Sequence, residues 1–466
     1  MGQEVCPVRE FLKTFLPKIL GPLWDPAKIL YDMLPLPVRY GRAYSEAASL
    51  LEAAERWNLE KLVEYQETML RRLIRHCYAN VPYYRKVFLD AGLRPDDIGT
   101  IGDLEKLPFL TKALVIRHKK DLLATNFSYF RAQVDSTSGT TGAPLDFYVD
   151  NATKAMEVAL ALRHLRWLDY RDGDRIAEIK EDCFVDQDRL YCYFPGSEHL
   201  KFSFFRVDDS KLEQTALALE RFKPMFIKAF PSSLFILSRW MERHNKRIQA
   251  PKYIITSSET LFPSTRDLAE RIFKAPVIDW YGQNEKVATA FQCEIGRGYH
   301  VQMEQAIVEL IPSKTGPLEI VGTSLHAFEM PFIRYRTGDI AMKEDQPCPC
   351  GRVHPVLSEL MGREDEFIIT PEKQIVTPTA MDYAVYHLEE IRESQIIQED
   401  INTLRIKVAP WDIISESTKQ RLLREIRRYL GSPAMNLVLE EVEEIPRTSR
   451  SKKPFVISYL NVEDYI

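Results

Sequence analysis

The chain has 466 residues, 45% of them hydrophobic and 28% charged, and its 62 basic and 67 acidic residues leave a formal charge of −5. That length suits two or three domains with substantial cores, and it excludes a disordered polymer, a collagen-like repeat and a disulfide-framed miniprotein. The mild acidity argues against a protein that coats nucleic acid, which needs a large positive surface.

Taken in chain order, residues 1–50 read as an apolar leader punctuated by prolines. From 51 to 77 the pattern turns helical, with Leu59, Leu62, Val63, Leu70, Leu73, Ile74 and Cys77 at three- and four-residue steps. A short strand over 132–134 and an extended run over 145–149 bracket a polar loop, and 152–168 is again helical. Beyond that, strands at 225–230, 253–256 and 276–279 alternate with helices at 232–242 and 264–273. Such alternation predicts βα units and a buried parallel sheet. Residues 304–321 read as a β-hairpin turning at Thr315-Gly316-Pro317. After Gly362 the composition shifts, and 366–466 reads as strand, helix, two strands, helix, strand and a basic tail. The expected fold is α/β: a large N-terminal domain over 1–361, a polar hinge at 362–366, and a small mobile C-terminal lid over 367–466.

The seven cysteines are odd in number and irregularly spaced, which is not a secreted disulfide framework. No run approaches the roughly 18 apolar residues of a membrane helix, and no small-residue cleavage site opens the chain. A cytoplasmic protein without a transmembrane segment is expected.

Chemistry gathers in five short stretches. Asp135-Ser136-Thr137-Ser138-Gly139-Thr140-Thr141-Gly142-Ala143-Pro144 packs hydroxyls and glycines into one loop after a strand, where backbone amides and hydroxyls can cradle phosphate oxygens. It is not a Walker loop, because no Gly-Lys-Ser/Thr follows. Asp279-Trp280-Tyr281-Gly282-Gln283-Asn284-Glu285 ends a predicted parallel strand, the place where α/β sheets bind ligands; Glu285 there suits magnesium beside phosphate. Ile333-Arg334-Tyr335-Arg336-Thr337-Gly338-Asp339 sets an aspartate after a glycine turn, positioned to accept two ribose hydroxyls. Gly362-Arg363-Glu364-Asp365 marks the hinge, and Pro446-Arg447-Thr448-Ser449-Arg450-Ser451-Lys452-Lys453 is the basic tail.

In order and spacing these five stretches resemble the adenylate-forming superfamily of acyl-CoA synthetases, within it the phenylacetate–CoA ligase branch and its CapK-like relatives. Upstream, Asn80-Val81-Pro82-Tyr83-Tyr84-Arg85 and Leu107-Pro108-Phe109-Leu110-Thr111-Lys112 are also similar to that branch. The resemblance implies that ATP and a carboxylate form an acyl-adenylate and pyrophosphate, and that an acceptor, CoA or an amine, then displaces AMP. It implies that Ser138, Thr140 and Thr141 contact the departing phosphates, with Gly139 and Gly142 shaping the loop. Glu285 is expected to hold Mg2+ and Asp339 the ribose, with Tyr281 and Gly282 beside the nucleotide. Ser257, Ser258 and Glu259 would line the adenine pocket. Arg363 would approach the nucleotide, Asp365 would be the pivot, and Lys452 would bridge carboxylate and α-phosphate.

Several positions depart from the family pattern. Ser451 stands in place of a glycine and Lys453 follows at once, so Lys452 and Lys453 both remain candidates for that bridge. Lys228, in Phe226-Ile227-Lys228-Ala229-Phe230, stands where a small or aromatic residue is expected; it reads either as a solvated lysine or as a reader of an anionic substrate. Cys293, His300, Cys348 and Cys350 offer three thiolates and an imidazole, a composition that suits structural zinc, Zn2+, within 293–350. The branch also admits adenylyltransferases that leave AMP on the substrate, like coenzyme F390 synthetase, and a binding protein without turnover. A homodimer is compatible with the chain, though no interface motif shows it.

Overall fold

The computed structural model describes residues 29–128, 131–136, 145–180, 189–204, 208–313, 317–446, 453–460 and 465. The fold is α/β, as expected, and is built on a twelve-stranded sheet. Five strands, His199–Ser203, Ile176–Lys180, Phe226–Ala229, Tyr253–Ser257 and Val277–Gly282, run parallel in that order. Beyond Val277–Gly282 the sheet becomes antiparallel through Thr289–Phe291, Tyr299–Val301, Val356–Arg363, Tyr335–Glu344, Leu318–Ser324 and Ala306–Pro312. The last pair is the hairpin predicted over 304–321; Thr315 and Gly316 of its predicted turn lie outside the described residues.

Both faces of the parallel strands are covered, which is why their residues read as near-continuous apolar runs. Helices Asp209–Phe222, Pro231–Arg243 and Pro263–Phe273 pack on one face through Leu219, Leu234, Leu237, Leu268 and Ile272. Helix Asn151–Trp167 covers the other, with Leu36–Ala54 against it through Tyr44, Ala47, Leu51, Ala155, Met156 and Leu160. Residues 36–50 of the expected leader are therefore part of the packed domain; 1–28 lie outside the described residues. The helical pattern predicted over 51–77 divides in two. Asn58 accepts a hydrogen bond from Lys61 N at 2.9 Å and starts a new helix, Leu59–Asn80, because a capping asparagine favours that role over continuing the first.

The C-terminal residues form a separate four-stranded sheet in the order Asn436–Glu441, Thr403–Pro410, Ile391–Asp400, Val456–Ser458. Helices Pro378–Tyr386 and Glu416–Leu430 bury Met381, Leu422, Ile426 and Leu430 against it. The sequence predicts a basic tail as the last element, but a strand follows it: Val456–Ser458 pairs in parallel with Ile396–Gln398. Three residues are too few to show a strand period, and their partner lies 60 residues away. Among the described residues, no helix is long and apolar enough to cross a membrane.

Candidate active site

A cavity of about 730 Å³ opens at the carboxyl ends of the parallel strands and is closed from above by the C-terminal unit. Its floor starts at Asp279, buried where Thr256 Oγ1 donates to it at 2.5 Å and Tyr299 OH at 2.9 Å. That anchoring fixes the end of strand Val277–Gly282, so Trp280, Tyr281 and Gly282 face the cavity. Tyr281 OH donates to Asp339 Oδ2 at 2.7 Å, and Tyr335 OH donates to Glu285 Oε1 at 3.0 Å. Two aromatic hydroxyls thus hold the two carboxylates that the sequence singled out. Burial pushes the Glu285 carboxyl above the ordinary glutamate value, so a cation brought beside it would be strongly held.

Strand Tyr335–Glu344 places Asp339 directly opposite Arg363. The guanidinium lies 4.0 Å from Asp339 and 3.3 Å from Asp365. Although burial works against its charge, Asp365 and Asp339 hold Arg363 firmly protonated. Gly338 is required here: its φ is +75°, and a Cβ would meet the Arg363 guanidinium at 3.3 Å. Gly362, also left-handed at φ +90°, precedes a 3₁₀ turn at Glu364–Glu366, where Arg363 N donates to Glu366 Oε2 at 3.3 Å.

Ser258 and Glu259 line the same cavity. Ser258 adopts φ +75°, and Glu259 Oε2 accepts from Ser232 N at 2.9 Å, tying the loop after Tyr253–Ser257 to the start of helix Pro231–Arg243. Ser257 ends its strand but does not line the cavity. Ser138, Gly139, Thr140, Thr141 and Gly142 lie outside the described residues, as does Lys452. The rim of their loop is placed: Asn284 Nδ2 donates to Ser136 O at 3.0 Å, joining strand Ala132–Ser136 to the Glu285 segment. Lys453 lines the cavity in a buried ion pair with Glu393.

Sequence reasoning missed Lys112 and Glu393 as cavity residues. Lys112 begins helix Lys112–Arg117 and lines the cavity beside Thr111. Burial and Arg363 push its ammonium down, while Glu285 and Asp365 pull it up, so it stands over the same carboxylates. The stretch 107–112 is legible only as a resemblance; nothing local announces a cation aimed at residues 170 or more positions later.

A second cluster sits on the antiparallel end of the sheet. Cys293, His300, Cys348 and Cys350 bring one donor atom each to within 4.8 Å of one another. Cys293 Sγ is 3.7 Å from Cys348 Sγ, and Cys350 Sγ is 3.5 Å from His300 Nε2. A zinc tetrahedron with bonds of about 2.3 Å to sulfur and about 2.05 Å to nitrogen has edges of about 3.8 and 3.5 Å. The donor set fits that ion in chemistry and spacing. All three cysteines are free thiols, and burial holds the His300 imidazole neutral, down at about 4, as a nitrogen ligand must be. Arg352 anchors the loop that carries Cys348 and Cys350, pairing with Glu294 at 2.8 Å and lying 4.1 Å above the Trp167 ring.

Known proteins agree with this architecture. Residues 368–459 match the CapK C-terminal domain. The chain is 27% identical over 349 residues to a phenylacetate-coenzyme A ligase of Thermus thermophilus, covering 71% of this chain and 77% of that one. In fold it is similar to 2-hydroxyisobutyryl-CoA ligase in its postadenylation state, with a TM-score of 0.68 at 18% identity over 87% of this chain and 91% of that one. Against the same ligase in its thioesterification state the TM-score is 0.56, at 19% identity over 88% and 92%. With its sheet, its second small α/β unit and its cavity between them, the chain resembles the adenylate-forming enzymes of the phenylacetate–CoA ligase-like branch.

Proposed function

We propose that the chain activates a carboxylic acid with ATP and passes the acyl group to CoA. The observation that carries this reading is the convergence of Glu285, Asp339 and Arg363 in one cavity at the parallel strand ends, beneath the C-terminal unit. A carboxylate oxygen would attack the α-phosphorus, forming the acyl–phosphate bond while the α–β bridging bond breaks and pyrophosphate leaves. The thiol sulfur would then attack the acyl carbon and expel AMP.

Both partners in the first step are anions, so the protein must place positive charge where negative charge grows. Asp339, oriented by the Tyr281 hydroxyl, would accept the ribose hydroxyls, and Arg363 would lie over the nucleotide. Ser258 and Glu259 would border the adenine. Lys112 would face the phosphates opposite Glu285. Glu285 would hold Mg2+, which neutralises phosphate charge when bound. Lys452 would bring its ammonium between the carboxylate and the α-phosphate. The greater similarity to a postadenylation structure supports a closed arrangement that suits this step. Residues 362–366 would then be the hinge, with Asp365 as pivot, and 367–466 the lid that exchanges Lys452 for the acceptor's path. Cys293, His300, Cys348 and Cys350 would hold structural Zn2+, which ties the segment after Glu285 to the one after Asp339.

The test is magnesium-dependent pyrophosphate release from ATP over a panel of carboxylic acids, with hydroxylamine present. Release with hydroxamate formation is the expected result, and CoA in place of hydroxylamine should give a thioester. Release without hydroxamate would mean AMP stays on another group. An amide in place of a thioester would mean an amine acceptor.

A further inference from the structure

Three costs meet at Lys286, the residue after Glu285. Its φ of +57° is the left-handed conformation that glycine or asparagine adopts far more readily. It is only 7% exposed, which takes an ammonium out of water. A long, flexible side chain is also held in one place. Glycine would make the same turn at less cost, so the position is built around the ammonium. Its partner is Glu157, whose Oε1 lies 2.5 Å from Lys286 Nζ, while Lys154 stands 3.4 Å from the other oxygen. Burial opposes the Glu157 charge, but Lys286 and Lys154 hold its carboxyl below the ordinary glutamate range.

Where Glu157 stands gives the pair its meaning. It lies in the second turn of helix Asn151–Trp167, which continues directly from strand Asp146–Asp150. That strand pairs with Ala132–Ser136, and residues 137–145 join the two. On the other side of Glu285, Asn284 Nδ2 donates to Ser136 O at 3.0 Å. The two neighbours of Glu285 therefore grip the two flanks of that connection: Asn284 its entering strand, Lys286 the helix into which its leaving strand runs. Lys286 N also donates to Gln283 O at 3.3 Å, closing the turn, and Val287 packs so closely on Gly322 that no Cβ would fit there. With the chain held at 284, 286 and 287, Glu285 is turned into the cavity, where Tyr335 OH meets its Oε1 at 3.0 Å.

We propose that Lys286 and Glu157 are positioning residues for Glu285, their ion pair fixing its carboxylate in register with the 138–142 stretch, so that metal held by the one meets phosphates held by the other. This rests on the reading above, in which Glu285 holds Mg2+ and 138–142 the departing phosphates. Neither residue touches the reacting atoms; the pair acts through the backbone of the turn between Gly282 and Thr289. Breaking it weakens the metal and leaves the acid alone.

The experiment reads the metal in two ways on the full chain. Calorimetry gives the affinity for α,β-methylene-ATP with and without Mn2+, which needs no turnover. The Mg2+ requirement of pyrophosphate release is read with the acid that performs best in the panel above. Mn2+ should tighten binding of the analogue to the natural chain. Lys286→Met should cut that gain, and raise the half-saturating Mg2+ concentration, about tenfold, the lower end of what supporting partners of a metal ligand contribute. The KM for the acid should not change, and Lys286→Arg, which keeps the charge, should behave as the natural chain. The double variant Lys286→Met/Glu157→Gln removes both charges, so by thermal unfolding it should recover stability lost in either single variant and still show the weakened metal. Recovery of metal binding together with stability would overturn the proposal, because the pair would then serve packing alone. An undiminished Mn2+ gain in a folded Lys286→Met would overturn it too, as would no gain in the natural chain. The two readings fail separately. A diminished Mn2+ gain in Lys286→Met with no pyrophosphate released from any acid keeps the positioning and defeats acid activation; release with an unaltered Mg2+ requirement does the reverse.

Discussion

The Cys/His cluster and the nucleotide cavity lie on one sheet but are closed in different ways. Cys293, His300, Cys348 and Cys350 all come from the large N-terminal unit, and their donors already stand at the spacing a small ion needs. The cavity is shared: Tyr281 and Asp339 belong to the large sheet and Glu285 to the turn between two of its strands, while Asp382, Glu393 and Lys453 reach it from the C-terminal unit. A site made within one rigid unit can be finished by folding. A site made across two units can be opened and remade, which a two-step reaction requires. That contrast predicts that cavity substitutions on the C-terminal side will separate the half-reactions, whereas cluster substitutions will act through stability.

The largest effect tests the shared side. Lys452→Ala should lower pyrophosphate release about 10²–10³-fold, the loss seen when one charge-stabilising donor is removed. Transfer from supplied acyl-adenylate to acceptor should persist in the same variant. Lys453→Ala should leave adenylation far less affected, since Glu393 holds that ammonium, and should instead cost about 3 kcal/mol of stability for a broken buried pair. Equal loss of both half-reactions in Lys452→Ala would remove the distinction between the two units.

For the closed site, Cys350→Ser should reduce zinc measured by elemental analysis and destabilise the chain by at least about 3 kcal/mol, because the free energy of binding a structural ion is folding free energy. Acyl preference should not change. An unaltered zinc content would reject the cluster as a zinc site.

A smaller effect probes the seam between the units. Asp382, on helix Pro378–Tyr386, faces Ser264 of the large unit, and burial raises its carboxyl to about 7. The docked arrangement keeps this group protonated. Its contribution is therefore full below the free aspartate value of 3.8 and is lost as pH rises through about 7. Resistance of the 362–366 segment to proteolysis should fall across that window, and Asp382→Asn should flatten the dependence. A profile identical in both proteins would place the pH response elsewhere.

How much of this was legible in the sequence follows from how local each contact is. Gly338-Asp339 and Tyr281 through Glu285 are short stretches whose residue types already state their chemistry, and the sheet sets them facing each other. Cys348-Pro349-Cys350 is equally local, and Cys293 and His300 could be added from composition alone. Lys112 could not be placed, because its helix meets Glu285 and Arg363 only through the tertiary fold. The Lys453–Glu393 pair depends on a three-residue strand joining Ile396–Gln398 in parallel, a register no local pattern shows. Lys228 was visible as an odd residue, but its place beside Glu178, Lys180 and Lys201 needed the strand order. The split at Asn58 shows the converse, a local capping signal overriding an apolar period that ran on through it.

The smallest expected effect concerns Gly338, where backbone shape and charge meet. Its left-handed φ of +75° disfavours any side chain, and the space above it is filled by the Arg363 guanidinium, 3.3 Å from where a Cβ would stand. Gly338→Ala should cost about 1–2 kcal/mol through backbone strain, and it should displace Arg363 from its place between Asp339 and Asp365. The displacement predicts a rise in the KM for ATP with little change in the affinity for the acid. Thermal unfolding and ATP titration would read the two consequences separately. A stability loss without any change in ATP affinity would show that Gly338 serves the turn alone, and that Arg363 reaches the nucleotide whatever the backbone beneath it.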